Sequence, residues 1–156
     1  MNTESSRFIV WVDDLDDNAI SIAGSKVARL GELRKMGIKV PDGFVVTTDA
    51  FNKFWTSNKL ESQIARKVDL ITNANDLGQV ERISKEIRQL IEVSDIPEDL
   101  SNEIKTAYQV LSFNCFDINL PTAVRSSATG EDSEDSSFAG QFDTYLGITG
   151  KERLVK

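Results

Sequence analysis

Two neighbouring segments, Val124-Arg-Ser-Ser-Ala-Thr-Gly-Glu-Asp132 and Ser136-Ser-Phe-Ala-Gly-Gln-Phe-Asp-Thr-Tyr145, carry most of the information in this chain. Together they predict a short apolar strand that delivers Arg125 into a loop rich in glycine and hydroxyl side chains. A guanidinium offers a rigid fork of N–H donors that matches phosphate oxygens. Gly140 would let the backbone approach a ligand closely. The segments therefore favour phosphate binding, although serine-rich turns often satisfy only their own backbone.

A second informative stretch lies upstream and is also rich in glycine. It reads Gly24-Ser-Lys-Val-Ala-Arg-Leu-Gly-Glu-Leu33, and it is followed by Met36-Gly-Ile-Lys-Val-Pro-Asp-Gly-Phe-Val-Val-Thr-Thr48. With the downstream run VRSSATGEDSEDSSFAGQFDTYL, it resembles the nucleotide-binding domain of the phosphoenolpyruvate synthase (pyruvate, water dikinase) family. Rifampicin phosphotransferases and phenylphosphate synthases are relatives in that family. The similarity covers nearly the whole chain and thins between about Asn58 and Leu120.

The resemblance implies an α+β fold, similar to the N-terminal lobe of an ATP-grasp nucleotide-binding domain, with a small antiparallel or mixed sheet packed with several helices. Residues 1–156 would form part of an ATP-binding domain. The C-terminal lobe and the phosphohistidine domain would lie outside this chain. In the family, ATP lies between the two lobes.

The resemblance also assigns roles to individual residues. Lys26 and Arg125 would neutralise the ATP phosphates, with Arg125 as the catalytic candidate that holds the transferring group. Gly140 and Thr144 would form a flexible lid. Mg²⁺ is an expected cofactor, but the family's metal-binding acids lie in the other half of the domain. We therefore assign no metal ligand here, not even in the acidic run Glu131 to Asp135.

The function implied is transfer of phosphate from ATP, through a histidine on another domain, to an acceptor. Pyruvate is the leading acceptor. The 156 residues contain no histidine, so the transfer needs a further domain of the same enzyme or a partner subunit. Alternatives remain open. The acceptor could be rifampicin or a phenol, or the chain could be a non-catalytic nucleotide-binding or interaction module, since Ser25 replaces a family glycine. By itself the chain is expected to bind ATP weakly and to show no turnover with pyruvate.

Composition is compatible with this assignment. The net charge of −7 argues against a nucleic-acid partner, and a hydrophobic fraction of 40% is that of a globular domain. One cysteine cannot form an internal disulfide, and there is no membrane-length apolar run or signal sequence, so we expect a cytoplasmic protein. Cys115, which lies among Phe113, Phe116 and Ile118, is expected to pack in the core.

Two competing motifs fail on spacing. A Walker phosphate loop needs glycine before its lysine and a hydroxyl residue after it, whereas Ser25 and Val27 flank Lys26. A calcium loop starting at Asp14 would need glycine and glutamate where Ala19 and Ser25 stand. The acidic run around Asp14 is therefore interpreted as a solvated turn.

The remaining pattern predicts the secondary structure. Strands are expected at Arg7 to Val12, Phe44 to Thr47 and Thr122 to Val124. A helix should begin at Ser25 as N-cap and end at Gly37. Its buried side would carry Val27, Leu30, Leu33 and Met36.

Three further helices are expected. One is capped by Thr48 and buries Phe51, Phe54 and Trp55, and the others span Asp76 to about Val93 and Pro97 to about Phe113. Ser133 to Gln141 should be the most mobile internal segment without nucleotide. The alternative is a rigid hairpin between strands at Thr122 and Phe142.

Overall fold

The structure is a computed structural model that describes residues 8–15, 19–127 and 143–155, with only the backbone described at 19 and 20. It divides into two compact units. The first combines Met1–Ala50 with Glu98–Lys156, and the second is Phe51–Pro97. The mixture of helices and small antiparallel ladders confirms the α+β class. The two ladders of the described residues are separate, each with two strands, where the sequence predicted one small sheet.

The first ladder joins β1 (Ile9–Trp11) to β2 (Phe44–Val46) in antiparallel order. Trp11 lies opposite Phe44, and their rings meet edge to face with centroids 5.7 Å apart. The amide of Val12 donates to the carbonyl of Gly43 at 3.0 Å and so extends the pairing beyond the strands. Both strands lie where the alternating apolar residues predicted them.

Helix α6 (Glu98–Asn114) supplies much of the core of the first unit and packs on β1 and β2. The prediction of this helix is confirmed, and so is its apolar stripe, whose buried members are Leu100, Ile104, Ala107, Tyr108 and Leu111. These residues recur at intervals of three and four, which places them on one side of a helix. Burying a stripe of this length is a main source of stability for the unit.

Helix α2 (Ser25–Lys35) buries a different face from the one predicted. Its buried residues are Ala28 and Gly31, whereas Leu30, Leu33 and Met36 are exposed. Ala28 joins Val12 and Leu15 in a small core cluster, and a Cβ on Gly31 would lie 3.0 Å from Leu15 Cβ. The helix therefore approaches its neighbours through small residues. The predicted side was wrong for Leu30, Leu33 and Met36, because close backbone approach selected the small residues, whereas Val27 is half-buried and packs against the cluster.

Two predicted helix caps were also displaced by one residue. Gly24, with φ 82°, is the N-cap of α2, and Ser25 is the first helical residue. At α3 (Thr48–Ser57), the amide of Ala50 donates to the hydroxyl of Thr47 at 3.4 Å, so Thr47 caps the helix instead of Thr48. Glycine reaches positive φ without a Cβ clash, which explains its place at the first of these turns.

The acidic turn after β1 is a short 3₁₀ turn (Val12–Asp14), followed by α1 (Ala19–Ala23), which the sequence did not predict. Asp13 is not merely solvated, because it forms an ion pair with Arg34 of α2. The same guanidinium pairs with Asp42 at 3.0 Å, in the turn before β2. Arg34 thus links α2 to the turn that follows β1 and to the turn that precedes β2.

The second unit contains most of α3 together with α4 (Leu60–Val68) and α5 (Leu77–Glu92). Helix α5 confirms the prediction of a helix from Asp76 to about Val93, and the structure adds that Asp76 is its N-cap, whose carboxylate accepts from the amide of Gln79 at 3.1 Å. Helix α4 was not predicted. The expectation of a buried aromatic face on α3 was wrong for Phe51, which is exposed and packs its ring 5.5 Å from that of Trp55.

The end of α6 corrects the expectation that Cys115 lies in the core. Cys115 is exposed, as are Phe113, Phe116 and Ile118. The amide of Asp117 donates to the carbonyl of Ser112 at 2.9 Å, and Phe116 has φ 57°. This is a Schellman-type C-cap, which turns the chain away from the helix and into solvent.

The second ladder pairs β3 (Thr122–Arg125) with β4 (Thr144–Ile148), and α7 (Lys151–Leu154) follows it. β3 lies where the sequence predicted a strand. α7 packs against α6, where Lys105 and Glu152 form an ion pair at 2.8 Å. This ladder carries the candidate site.

Candidate functional site

Arg125 and Thr144 occupy facing positions in the β3–β4 ladder. Arg125 is the last residue of β3 and Thr144 the first of β4, and their Cα atoms are register partners. Both side chains are exposed. In the part of the chain that the structure describes, no hydrogen bond or ion pair engages the Arg125 guanidinium. Two residues assigned to phosphate binding from the sequence are thus neighbours, and the charged one is available to a ligand.

A β-bulge separates this pair from the other end of the ladder. Thr122 pairs with Ile148 and Val124 with Tyr145, so one residue of β3 faces two of β4. Gly147 lies within the bulge at φ 67°. A bulge increases local twist and re-aims the side chains beside it. The direction in which Arg125 and its partner strand point therefore depends on this glycine.

Tyr108 of α6 anchors the open end of the same ladder. Its hydroxyl, which is almost completely buried, donates to the carbonyl of Leu120 at 2.9 Å and accepts from the amide of Gly150 at 2.8 Å. Leu120 precedes β3 and Gly150 follows β4. The hydroxyl of Thr122 also donates to the carbonyl of Ile148 at 3.0 Å. The Tyr108 hydroxyl thus links the residue before β3 and the turn after β4 to α6.

Lys26 lies on another element, in the first turn of α2, and is exposed. Four amides at the start of a helix have no intrahelical acceptor, and the helix dipole makes that end favourable for anions. A lysine there opposes the dipole unless an anion is bound nearby. The position is compatible with the phosphate-binding role, while a shared site with Arg125 stays a prediction.

Two buried serine hydroxyls flank these cations. Ser25 Oγ, beside Lys26, and Ser127 Oγ, two residues after Arg125, are shielded from solvent and have no hydrogen-bond partner in the described residues. An unpaired buried hydroxyl costs about 1–3 kcal/mol, so such groups are normally satisfied by protein, water or ligand. Both hydroxyls could donate to phosphate oxygens. The residues present therefore fit a polyphosphate ligand.

The rest of the predicted loop lies outside the described residues. This includes Gly140, the acidic run Glu131 to Asp135, and the segment Ser133 to Gln141 for which a mobile lid was expected. Their roles stay predictions. Across residues 8–15, 21–127 and 143–155, no group of three or more acidic, cysteine or histidine side chains is arranged to hold a metal ion.

Comparison with known proteins defines the class to which this fold and site belong. The model of the family described as "Pyruvate phosphate dikinase, AMP/ATP-binding domain" matches residues 20–156. The chain belongs to that family. The match includes Lys26, Arg125 and Thr144, the three candidate binding residues that lie in the described part of the chain.

Individual relatives carry a narrower name. A probable phosphoenolpyruvate synthase of Methanocaldococcus jannaschii is 44% identical over 153 residues, which cover 98% of this chain and 13% of that protein. The phosphoenolpyruvate synthases of Aquifex aeolicus and Escherichia coli are each 40% identical, over 97% and 99% of this chain and 18% and 20% of theirs. The chain thus spans at most about a fifth of the length of these three relatives. Among the described helices, none is long and apolar enough to cross a membrane.

Sequence reasoning missed two residues that shape the site. Tyr108 was interpreted as one more member of an apolar stripe, although a buried tyrosine hydroxyl normally requires a partner, and that requirement was a usable signal. Gly147 gave a weaker signal, as an isolated glycine in a strand pattern often marks a bulge. Neither partner of Tyr108 could be identified from spacing alone.

Proposed function

We propose that this chain is the ATP-binding part of a dikinase-type phosphotransferase, which moves phosphate from ATP through a histidine on another domain to pyruvate. The single observation that carries the proposal is the apposition of Arg125 and Thr144 in a chain whose family binds AMP or ATP. The relatives named phosphoenolpyruvate synthase favour pyruvate over rifampicin or a phenol as acceptor. The histidine must lie in a further domain of the same enzyme or in a partner subunit, because none of these 156 residues is histidine.

In this proposal Arg125 is the residue that binds the transferring phosphoryl group. Its planar fork can engage two phosphate oxygens at once, and the charge on those oxygens increases or redistributes during transfer. Thr144, directly across the ladder, offers a hydroxyl to the same ligand. Lys26 and the α2 N-terminus neutralise the remaining phosphate charge, and Gly140 with Thr144 contributes the lid. Mg²⁺ would neutralise phosphate charge as well, with its ligands expected in the other half of the domain, outside this chain.

An NMR titration of this chain with Mg-ATP tests the binding part. We expect amide shifts at Lys26, Arg125, Ser127 and Thr144, and none along α5. Binding should be weak, nearer millimolar than micromolar, because the described candidate side chains are exposed and would leave much of the ligand hydrated. A micromolar dissociation constant by calorimetry would contradict the weak-binding expectation, and shifts spread over α5 would contradict the site.

The catalytic part is tested in the complete enzyme that carries this domain. ATP and pyruvate should yield phosphoenolpyruvate, and ATP alone should leave acid-labile phosphate on a histidine. Phosphorylation of rifampicin or a phenol in place of pyruvate would reassign the acceptor. Nucleotide binding without any phosphoprotein or product would support the non-catalytic module instead.

A further inference from the structure

Tyr108 connects three segments that are distant in sequence. Its ring belongs to the buried face of α6, and its hydroxyl forms hydrogen bonds with the backbone just before β3 and just after β4. Backbone partners on both sides leave the hydroxyl satisfied as donor and as acceptor. The tyrosine therefore fixes where both strands of the hairpin leave the core.

Strand β4 has little else in the described structure to hold it in place, whereas β3 is half-buried at Thr122 and Val124. Residues 143–147 are exposed, and all the Cα register partners of β4 lie on β3. The bond from Thr122 to Ile148 lies within the hairpin, so it stabilises pairing but does not fix the hairpin to α6. Beyond β4, α7 packs against α6, but the Lys105–Glu152 ion pair between these helices is partly solvated and formed by long side chains, so it contributes little positional precision.

Arg125 lies at the opposite end of the hairpin from this anchor. Arg125 lies three positions along β3 from Thr122, about 10 Å at the usual rise of about 3.3 Å per residue. A small rotation at the base of a two-stranded ribbon is amplified over that length. The Gly147 bulge lies between the two ends and sets the twist that relates them.

We infer that Tyr108 is a positioning residue for the phosphate-binding pair Arg125 and Thr144, acting through the two backbone hydrogen bonds of its hydroxyl. The inference rests on the proposed ATP-binding function of that pair. Phosphate recognition by a bidentate guanidinium is sensitive to direction as well as distance. The Tyr108 hydroxyl supplies that direction from a rigid helix.

Tyr108→Phe removes the hydroxyl and keeps the ring, so it isolates the two hydrogen bonds. Amide hydrogen exchange at Gly150 and along Thr144–Ile148 should accelerate by about tenfold or more relative to α2, the order expected for losing hydrogen bonds of ordinary strength. The dissociation constant for Mg-ATP should rise several-fold in the NMR titration. In the complete enzyme, KM for ATP and kcat should change while KM for pyruvate stays the same.

Ile104→Val is the matched control, because Ile104 lies on the same buried face of α6 and its truncation lowers stability while leaving the Tyr108 hydroxyl in place. It should leave the exchange of β4, relative to α2, and the ATP affinity at wild-type values. Equal loss of ATP affinity in both variants would assign the effect to general stability and overturn the inference. Wild-type exchange and affinity in Tyr108→Phe would overturn it as well.

Two further outcomes separate the inference from the proposed function. If the wild-type chain and the complete enzyme bind no ATP, the proposed function fails, and with it the phosphate role of the hairpin, whatever the exchange data show. If Tyr108→Phe does not fold, the wild-type chain provides the second measurement: because coupling between two sites is reciprocal, saturating Mg-ATP should slow amide exchange at Gly150, which donates to the Tyr108 hydroxyl, relative to α5. Unchanged exchange of the Gly150 amide in a chain that binds Mg-ATP would then contradict the inference.

Discussion

Arg125 and Thr144 are Cα partners across the β3–β4 ladder, at the end of the hairpin away from the Tyr108 anchor. The pairing gives a strand-borne arginine a fixed hydroxyl neighbour. Side chains on paired strands hold their separation better than side chains on loops, because backbone hydrogen bonds fix the register. A phosphate-binding pair built in this way needs correct strand geometry as much as correct residues.

Replacement of Arg125 by lysine should separate charge from geometry. Arg125→Lys keeps the positive charge and loses the bidentate fork, so we expect the complete enzyme to lose about 2.7–4 kcal/mol of transition-state stabilisation, a rate loss on the order of 10²–10³. The fold should survive, because Arg125 is exposed and engages no described partner. Steady-state kinetics with ATP and pyruvate measure the effect.

Arg88→Lys on α5 is a matched control, because Arg88 is also an exposed arginine but lies in the second unit. It should leave the turnover number unchanged. A turnover number for Arg125→Lys equal to that of this control would show that the fork of Arg125 is not used in catalysis.

The bulge glycine offers a test of hairpin geometry. At Gly147, φ is 67° and an added Cβ would meet no atom within 4 Å, so Gly147→Ala costs conformational strain alone, about 1–2 kcal/mol. We expect the ladder to relieve this strain by shifting its register or twist. Amide chemical shifts at Arg125 and Thr144 should therefore change, and ATP affinity should fall.

Gly37→Ala provides the same strain at a remote place. Gly37 follows the C-terminus of α2 with φ 78°, and an added Cβ there would also meet no atom within 4 Å. Urea unfolding should show a similar loss of stability for both variants, whereas only Gly147→Ala should alter the ATP titration. Equal ATP affinities in the two variants would mean that the bulge does not set the orientation of Arg125 and Thr144.

Long amphipathic helices were the part of the fold most open to prediction. Helices α5 and α6 each carry several turns of apolar residues at helical spacing, and each begins close to a residue, Asp76 or Pro97, that favours a helix start. The strands β1, β2 and β3 were found within two residues of their predicted bounds. A local sequence pattern is sufficient to predict a helix or strand when only one face of that element is buried.

The misplaced features depend on tertiary contacts that no local pattern encodes. Helix α2 turns Ala28 and Gly31 inward because its neighbour Leu15 comes very close, which spacing of large apolar residues cannot reveal. The exposure of Cys115 follows from the way that α6 ends. Lys26 and Arg125 were found because their sequence motifs resemble those of a known family. The hydrogen bonds that anchor the hairpin of Arg125 come from Tyr108, a helix residue that the sequence pattern indicated to be purely structural.

The end of α6 provides a stability prediction. Phe116 adopts φ 57°, a conformation that costs a residue with a side chain about 1–2 kcal/mol, and its ring is fully exposed and so contributes little packing. Phe116→Gly should relieve the strain, offset by about 0.5–1 kcal/mol of unfolded-state entropy. We expect a net gain of about 0.5–1 kcal/mol in the free energy of unfolding, measured by urea denaturation.

Phe113→Gly is its control, because Phe113 is exposed too but lies inside the helix. Glycine there should lower the free energy of unfolding by about 0.5 kcal/mol, following ordinary helix propensity. The opposite signs of the two variants are the diagnostic result. A loss of stability in Phe116→Gly would show that the exposed ring has a stabilising role.

The last prediction concerns acid stability in the second unit. Lys67 of α4 donates a hydrogen bond to Glu86 Oε2 of α5 at 2.9 Å, and this bond, with the charges of Lys67 and Arg82, holds the pKa of the Glu86 carboxyl below its ordinary value of 4.5. A lowered pKa in the folded state means that the ionised form favours folding. The contribution is complete above the ordinary value and is lost as the pH falls through the folded-state pKa.

The intrinsic rate of amide exchange falls on acidification, and exchange of α4 and α5 should therefore show a growing excess relative to that intrinsic rate as the pH is lowered from about 6 to about 3.5. Glu86→Gln should remove much of that excess, since the amide cannot ionise. Glu81→Gln is the control, because Glu81 is exposed on the same helix and forms no ion pair within the described chain. If Glu86→Gln and Glu81→Gln retain the same excess acid sensitivity, the Lys67–Glu86 pair does not link the two helices in solution, in keeping with the small contribution of many exposed ion pairs.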